Sequence, residues 1–301
     1  MKKILTILIL TTTFSMNAQV ATTLTSRTGT DASAIGNATT ASGDYSTAMG
    51  RDSQASGNYS VAMGYATTAQ GLISTAMGQN TTASGYASTS MGQHSIASGN
   101  YSTAMGWSTT ASGHNSFATG KFAKASDFAS TVIGHYNSSG SSVTDSATSF
   151  STSNTAFVIG NGADVSNKSD AFKVMFNGDT TISNDLTVSG DIVISSDARL
   201  KSNIVTLGST LPKLLQIDGK SYEMKGKQKI GVLAQEIQEV FPELVTKDDN
   251  EMLAVNYQGL VPVLINALKE QQSEIDRLKE QEIKILKLEE MLLKLTKNYE
   301  D

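Results

Sequence analysis

The sequence predicts a mainly β protein: a solenoid rod built from one short repeat, followed by a small α/β module and a long helix of coiled-coil type. Three observations carry that expectation. Glycine recurs every fourteen residues at Gly36, Gly50, Gly64, Gly78, Gly92, Gly106, Gly120 and Gly134, with Gly43, Gly57, Gly71, Gly85, Gly99 and Gly113 midway between. Most charged residues fall after Ser196, so the composition changes there. Finally, Leu264, Leu268, Gln271, Ile275 and Leu278 follow a 4-3 spacing, which slips near Glu280 and resumes at Ile285, Leu288, Leu292, Leu295 and Tyr299. A fixed short period means stacked units, and a 4-3 seam with a stammer means a coiled coil.

Each unit reads roughly ASGxYSTAMGxxTT. Met49, Met63, Met77, Met91 and Met105 share one position, with Ile35 and Ile133 at the ends; Ser46, Ser60, Ser74, Ser88, Ser102, Ser116 and Ser130 share another. Glycine at every seventh residue amid Ser and Thr is poor helix material. Two short strands with glycine at the two corners account for the unit, each coil adding about 4.8 Å to the rod. One large apolar side chain per coil builds no private core. The Met column is therefore expected to lie against the same column of other copies, in a homo-oligomer that Ala and Gly allow to pack closely.

Over residues 31–136 the Ser-x-Ala-Met-Gly and Ala-Ser-Gly elements resemble the head repeats of trimeric autotransporter adhesins. The resemblance implies a left-handed parallel β-roll and a homotrimer; the number three rests on it. Those adhesins end in a membrane β-barrel, whereas no run of alternating ten-residue amphipathic strands closes this chain.

Upstream, residues 1–18 combine Lys2-Lys3, an apolar run from Ile4 to Phe14 and a cleavage point at Asn17-Ala18-Gln19, the pattern of a secretory signal too short to span a bilayer. Export to the cell surface or the extracellular space is expected, residues 19–30 forming an N-terminal segment and the mature chain having no membrane-spanning segment. With no Cys in the sequence, neither disulfides nor a lipid on an N-terminal Cys can contribute.

The rod offers three candidate surfaces. Thr39-Thr40, Thr67-Thr68, Thr81-Thr82 and Thr109-Thr110 suggest a flat ice-binding array, interrupted at Ser53-Gln54 and Ser95-Ile96, or a solvated polar face. Tyr45, Tyr59, Tyr86, Tyr101 and Trp107 are glycan contacts or structural surface rings; a host-surface glycan or protein receptor is the outside partner this allows. Metal binding is not expected, because Asp44, Arg51 and Asp52 are the only charges between Ala32 and Gly120 and hard cations need several carboxylates. No cofactor is implied. The negative net charge argues against nucleic acid.

After the repeats, residues 137–154 form a Ser/Thr-rich linker. Residues 155–195 form a β neck: Phe172, Val174 and Phe176 alternate, Asn177-Gly178 marks a hairpin turn, and Ile182, Leu186, Val188, Ile192 and Ile194 continue in strand-like fashion. Residues 196–258 form the α/β module, with a hairpin across Lys225-Gly226-Lys227, a helix from Ala234 to Phe241 ended by Pro242, and a strand through Leu253, Val255 and Tyr257. Residues 259–301 form the coiled coil.

Chemistry concentrates in Ser195–Ile204, SSDARLKSNI. His94, His114 and His135 all lie upstream of residue 136, so the C-terminal part has neither a His base nor a Cys nucleophile. Ser and Lys remain. Ser196 and Lys201 would sit about 140° apart on a helix and on opposite faces of a strand, so contact requires a turn, for which Ser-Asp-Ala is suitable. Lys201 acts as a base only if burial or a neighbouring cation, for which Arg199 is the candidate, favours its neutral form. The residues alone leave a second reading open, in which Ser-Ser-Asp caps a solvated helix.

The run Ser196-Asp197-Ala198-Arg199-Leu200-Lys201-Ser202-Asn203-Ile204, followed by Ile230–Ile237 and Phe241–Val245, resembles the C-terminal intramolecular chaperone of endosialidase tailspikes, a self-cleaving serine peptidase domain also found in phage tail fibres and in myelin regulatory factor. That resemblance implies Ser196 as nucleophile, Lys201 as base, Asp197 and Arg199 as supporting residues, and the Ser195–Ser196 bond as the one cut. The function expected is an exported trimeric fibre, adhesin-like, whose chaperone drives assembly and removes itself once. Alternatives are an adhesin with a retained trimerisation module and a ligand- or ice-binding solenoid. Nothing in the rod points to an enzyme with an external substrate.

Overall fold

A computed structural model describes residues 23–247 and 251–300, the last four as backbone only; the expected secretory signal at residues 1–18 lies outside them. The chain divides into a unit ending at Ile192 and a second unit, Val193–Asp301.

The first unit is a β-solenoid of eight coils. Each coil contributes a five-residue strand, from Ser33–Asn37 in the first to Thr131–His135 in the last, and most add a two-residue strand such as Gln54–Ala55. Successive coils pair parallel at a fixed offset: Ala48 faces Ala62, Met49 faces Met63, and Gly50 faces Gly64. Long strands build one sheet and short strands another. The space between them is narrow. It admits the Ala column, Ala48, Ala55, Ala62, Ala69, Ala76 and onward, all fully buried, and a Ser/Thr column that includes Ser46, Ser53, Ser60 and Thr67. Where Ser90 interrupts the Ala column, its hydroxyl donates to the Ser95 carbonyl at 2.8 Å. Thr67 donates to Ser53, and Ser53 to the Gly64 carbonyl, at 2.9 and 3.0 Å.

One of the two expected corners carries its glycine: Gly43 and Gly57 open a turn whose carbonyl accepts from the amide of Ser46 and Ser60. The other glycine column differs from the expectation, because Gly50 and its equivalents lie within the long strand at positive φ, +106° for Gly50, and the left-handed residues of the bends are non-glycine, among them Tyr45, Asp52, Tyr59, Ala66 and Ile73. Close approach explains the strand glycine, since a Cβ on Gly78 would overlap the Gly92 carbonyl. The bends are held by the stacking itself: Tyr59 donates its amide to Asp44 of the preceding coil at 2.8 Å, and Ile73 to Asn58 at 2.9 Å. Left-handed conformation in a β-branched residue is costly, so Ile73 is a point of strain.

The Met column is outside the coil and half-exposed, Met63 reaching 37 %. The Thr pairs are split. Thr39, Thr67, Thr81 and Thr109 point inward, fully buried, while Thr40, Thr68, Thr82 and Thr110 face the other way, because consecutive strand residues alternate faces. A flat array of paired threonines does not form. Aromatic rings stack along the corners instead, Tyr45 on Tyr59 at 5.1 Å and Phe122 on Tyr136 at 4.8 Å.

Residues 137–154 contain no strand and are tied to the last coils. Buried Asp127 accepts from the Thr144 amide and hydroxyl and from the Thr155 amide at 2.6, 2.8 and 2.9 Å. Thr155–Asn161 then adds a parallel rung, and Asp170–Met175 and Thr180–Ile182 follow antiparallel around the expected Asn177-Gly178 turn. The strand-like pattern from Leu186 to Ile194 does not become strand. A strand needs a partner ladder, and in the single chain Leu186, Ile192, Val193 and Ile194 are exposed.

In the second unit, Lys220–Met224 and Lys227–Gly231 pair antiparallel, Met224 opposite Lys227. The loop is thus two residues, Lys225-Gly226, both at positive φ as a tight hairpin turn requires. A helix, Ala234–Val240, and a second hairpin, Val245–Lys247 with Leu253–Val255, complete the module. Tyr257 starts a short helical turn rather than extending that strand. Ile237, Phe241, Leu244 and Val263 form the core. The final helix, Leu260–Glu300, has 41 residues, about 60 Å at 1.5 Å per residue. It packs inward through Val263 and Ala267, while the 4-3 seam of Leu264, Leu268, Ile275, Leu278, Leu288 and Leu292 is exposed.

Gly78→Ala is expected to destabilise the rod by about 3 kcal/mol or more, from overlap and positive φ together. Ile73→Gly should stabilise it by about 1 kcal/mol by removing a left-handed β-branched residue. Thermal denaturation of the two variants beside the parent checks both; a neutral Gly78→Ala would refute the close-approach account.

Candidate self-cleavage site

Ser196 and Lys201 are brought together. A single helical turn, Ala198–Leu200, reverses the chain between them, supplying the bend that neither a regular helix nor a strand provides. Lys201 Nζ donates to Ser196 Oγ at 2.7 Å. Asp197 makes the turn: its Oδ1 accepts the Arg199 amide at 2.8 Å, and its carboxylate pairs with the Arg199 guanidinium at 3.0 and 2.7 Å. The capping reading thus holds for Asp197, one residue beyond Ser196. Arg199 is directed at Asp197 rather than at Lys201. Its guanidinium holds the Asp197 carboxyl below the usual carboxylate range.

Every residue from Asp191 to Ser209 is exposed. Leu200, Ile204 and Val205 flank the dyad with exposures of 74, 67 and 82 %. Lys201 is thus open to water in the single chain. In the single chain the dyad has its contact and lacks its environment.

Beyond the dyad, two side chains hold the loop to the long helix. Glu270 accepts from Ser209 Oγ at 2.8 Å, from the Thr210 amide and hydroxyl at 2.6 and 3.2 Å, and from the Leu211 amide at 3.2 Å. Asn266, one turn earlier, donates to the carbonyls of Gly208 and Leu207 at 2.9 and 3.3 Å. Glu270 therefore caps the short helix Leu211–Leu214, whose own cap residue Thr210 makes no side-chain cap bond. The Thr210 amide is the main cause that holds the Glu270 carboxyl below its ordinary range. Sequence reasoning missed both residues. A signal existed: Val263, Ala267 and Glu270 share the 4-3 stripe that faces the module, so a carboxylate stood at an inward position.

Two family models match separate parts of the chain. The family described as chaperone of endosialidase matches residues 196–246, beginning at Ser196 itself, and is the self-cleaving intramolecular chaperone domain. The YadA head domain repeat matches residues 28–53, 41–67, 55–81, 69–95 and 97–123. YadA head repeats are those of trimeric autotransporter adhesins; they fit a trimeric β-roll and suggest a surface or extracellular protein. No curated protein matches the chain. Among the described residues, no helix is long and apolar enough to cross a membrane.

Because folding lowers the Glu270 pKa, its contribution is complete above the unfolded carboxylate value and is lost as pH falls through the folded one. Protection factors of the Thr210 and Leu211 amides should accordingly hold down through the ordinary glutamate range and collapse as pH falls below it, before the core around Ile237 opens. Unchanged protection below that range would contradict the assignment.

Proposed function

We propose that the protein is an exported trimeric fibre of adhesin type whose C-terminal domain gathers three chains and then releases itself by cutting the Ser195–Ser196 bond. The observation that carries this reading is the 2.7 Å contact between Lys201 Nζ and Ser196 Oγ, at the first residue of the chaperone match. The secretory pattern of residues 1–18 supports export.

Assembly supplies what the single chain lacks. The exposed seam of the long helix draws three helices together, and the apolar residues around the dyad are covered by neighbouring copies. Burial converts Lys201 to the neutral amine. The Ser196 hydroxyl then adds to the carbonyl carbon of Ser195 while Lys201 takes its proton. The C–N bond breaks, the Ser196 nitrogen gains a proton, and the acyl group of Ser195 rests on Ser196 Oγ as an ester. Water hydrolyses that ester, leaving a carboxylate on Ser195 and restoring the Ser196 hydroxyl on the released 196–301 fragment. Nucleophile and carbonyl belong to adjacent residues, so proximity lowers the barrier without an external binding site. Each chain reacts once, and loss of the assembly domain leaves the rod kinetically trapped.

A second reading, a permanent trimerisation module, is favoured by one feature: Asp197 caps the turn competently without any catalysis. Intact mass separates the two. Residues 19–301 should yield fragments ending at Ser195 and beginning at Ser196, at a rate that rises with pH, while Ser196→Ala and Lys201→Ala remain whole and trimeric. A stable, uncut parent trimer would establish the permanent module instead.

A further inference from the structure

We infer that Glu270, with Asn266, is a positioning residue for self-cleavage, coupling the long helix to the loop that carries the dyad; this rests on the self-cleavage reading above. The two side chains lie one turn apart on the Leu260–Glu300 helix. Between them they engage five consecutive residues that begin six positions after Lys201: the Leu207 and Gly208 carbonyls, Ser209, Thr210 and the Leu211 amide. Thr210 is 3 % exposed and also donates from its hydroxyl to the Val263 carbonyl at 3.3 Å. The loop is therefore anchored at 207–211, whereas Asp191–Ser209 exposes every side chain.

The chemistry of the anchor suits a register device. A carboxylate with two oxygens accepts from two successive amides and two hydroxyls, fixing the chain direction as well as its position. Beyond Glu270, residues 271–296 are all exposed. The anchor thus sits where the helix passes from packing on its own module to offering its seam to other chains. Joining of the helices at that seam is transmitted through Glu270 to the dyad loop. Helix association and dyad geometry become one event, so a chain cuts only when assembled.

The test measures cleavage in trimers already formed, apart from assembly. Full-length chain is assembled at low pH, isolated as trimer and shifted to alkaline pH, and the first-order appearance of the 196–301 fragment is followed by mass. Glu270→Ala is expected to slow it about ten-fold or more, since small misplacements of reacting groups carry large rate costs. Glu270→Gln, which keeps one acceptor oxygen, should recover part of the rate. Glu274→Gln should react like the parent, because Glu274 pairs with Arg277 and not with the loop. In the uncut Ser196→Ala background, Glu270→Ala should raise amide exchange at 207–211 and leave the trimer intact.

If the parent cuts and Glu270→Ala cuts at the parent rate in intact trimers, the coupling is refuted while self-cleavage stands. If the parent stays whole, the self-cleavage reading falls and takes the coupling with it. Loss of trimer in Glu270→Ala, with normal cleavage of whatever trimer remains, would also overturn the inference.

Discussion

The rest of the structure depends on the narrowness of the coil. Backbones stacked fourteen residues apart leave an interior that takes Ala, Ser, Thr and Gly, and the register places the same residue type above itself in coil after coil. Backbone hydrogen bonding is thereby satisfied almost completely along the rod, while apolar burial per coil stays small. Among the described residues, seven interior hydroxyls, including those of Ser46, Ser60 and Ser74, make no hydrogen bond. Ser88 and Ser130, at the position of Ser46, Ser60 and Ser74, donate to the carbonyl three residues back.

Such a rod is incomplete as a single chain. Its methionines form a half-exposed stripe outside the coil, and the matching repeats fit a trimeric β-roll. Identical coils also make register a hazard, because a slip by one period preserves nearly every contact. A separate element that aligns three chains before the repeats zip removes the ambiguity. The end of the rod is marked in the same terms: Val132 and Val158 replace Ala in the interior column, and buried Asp127 fastens the segment that follows.

The second unit shows the complementary arrangement. Its core is compact and its long helix turns one stripe inward at Val263, Ala267 and Glu270 while exposing the other. The dyad loop lies on the exposed side of this economy, in contact internally and open to water. Under the proposed self-cleavage, a pair that is in contact yet open to water stays idle until neighbours arrive, which is what a reaction tied to assembly requires.

The fourteen-residue period by itself determined the solenoid, because a repeat that short, rich in glycine and poor in large apolar residues, has few ways to satisfy its backbone. Equally, the 4-3 spacing determined the long helix, and the absence of Cys and of any downstream His narrowed the candidate chemistry to Ser with Lys, among which the resemblance of the Ser196–Ile204 run singled out Ser196 and Lys201. Tertiary structure decided the rest. Which of two adjacent threonines points inward depends on the strand phase, and one of the two glycine columns entered the strand, although at both columns the neighbouring coil's carbonyl, invisible in the local sequence, occupies the Cβ position. The pattern from Leu186 to Ile194 read as strand but found no ladder, since alternation specifies a face and not a partner. Glu270 was out of reach for a related reason: its partners lie about sixty residues upstream, and only folding brings a carboxylate on the last helix to the amides behind the dyad.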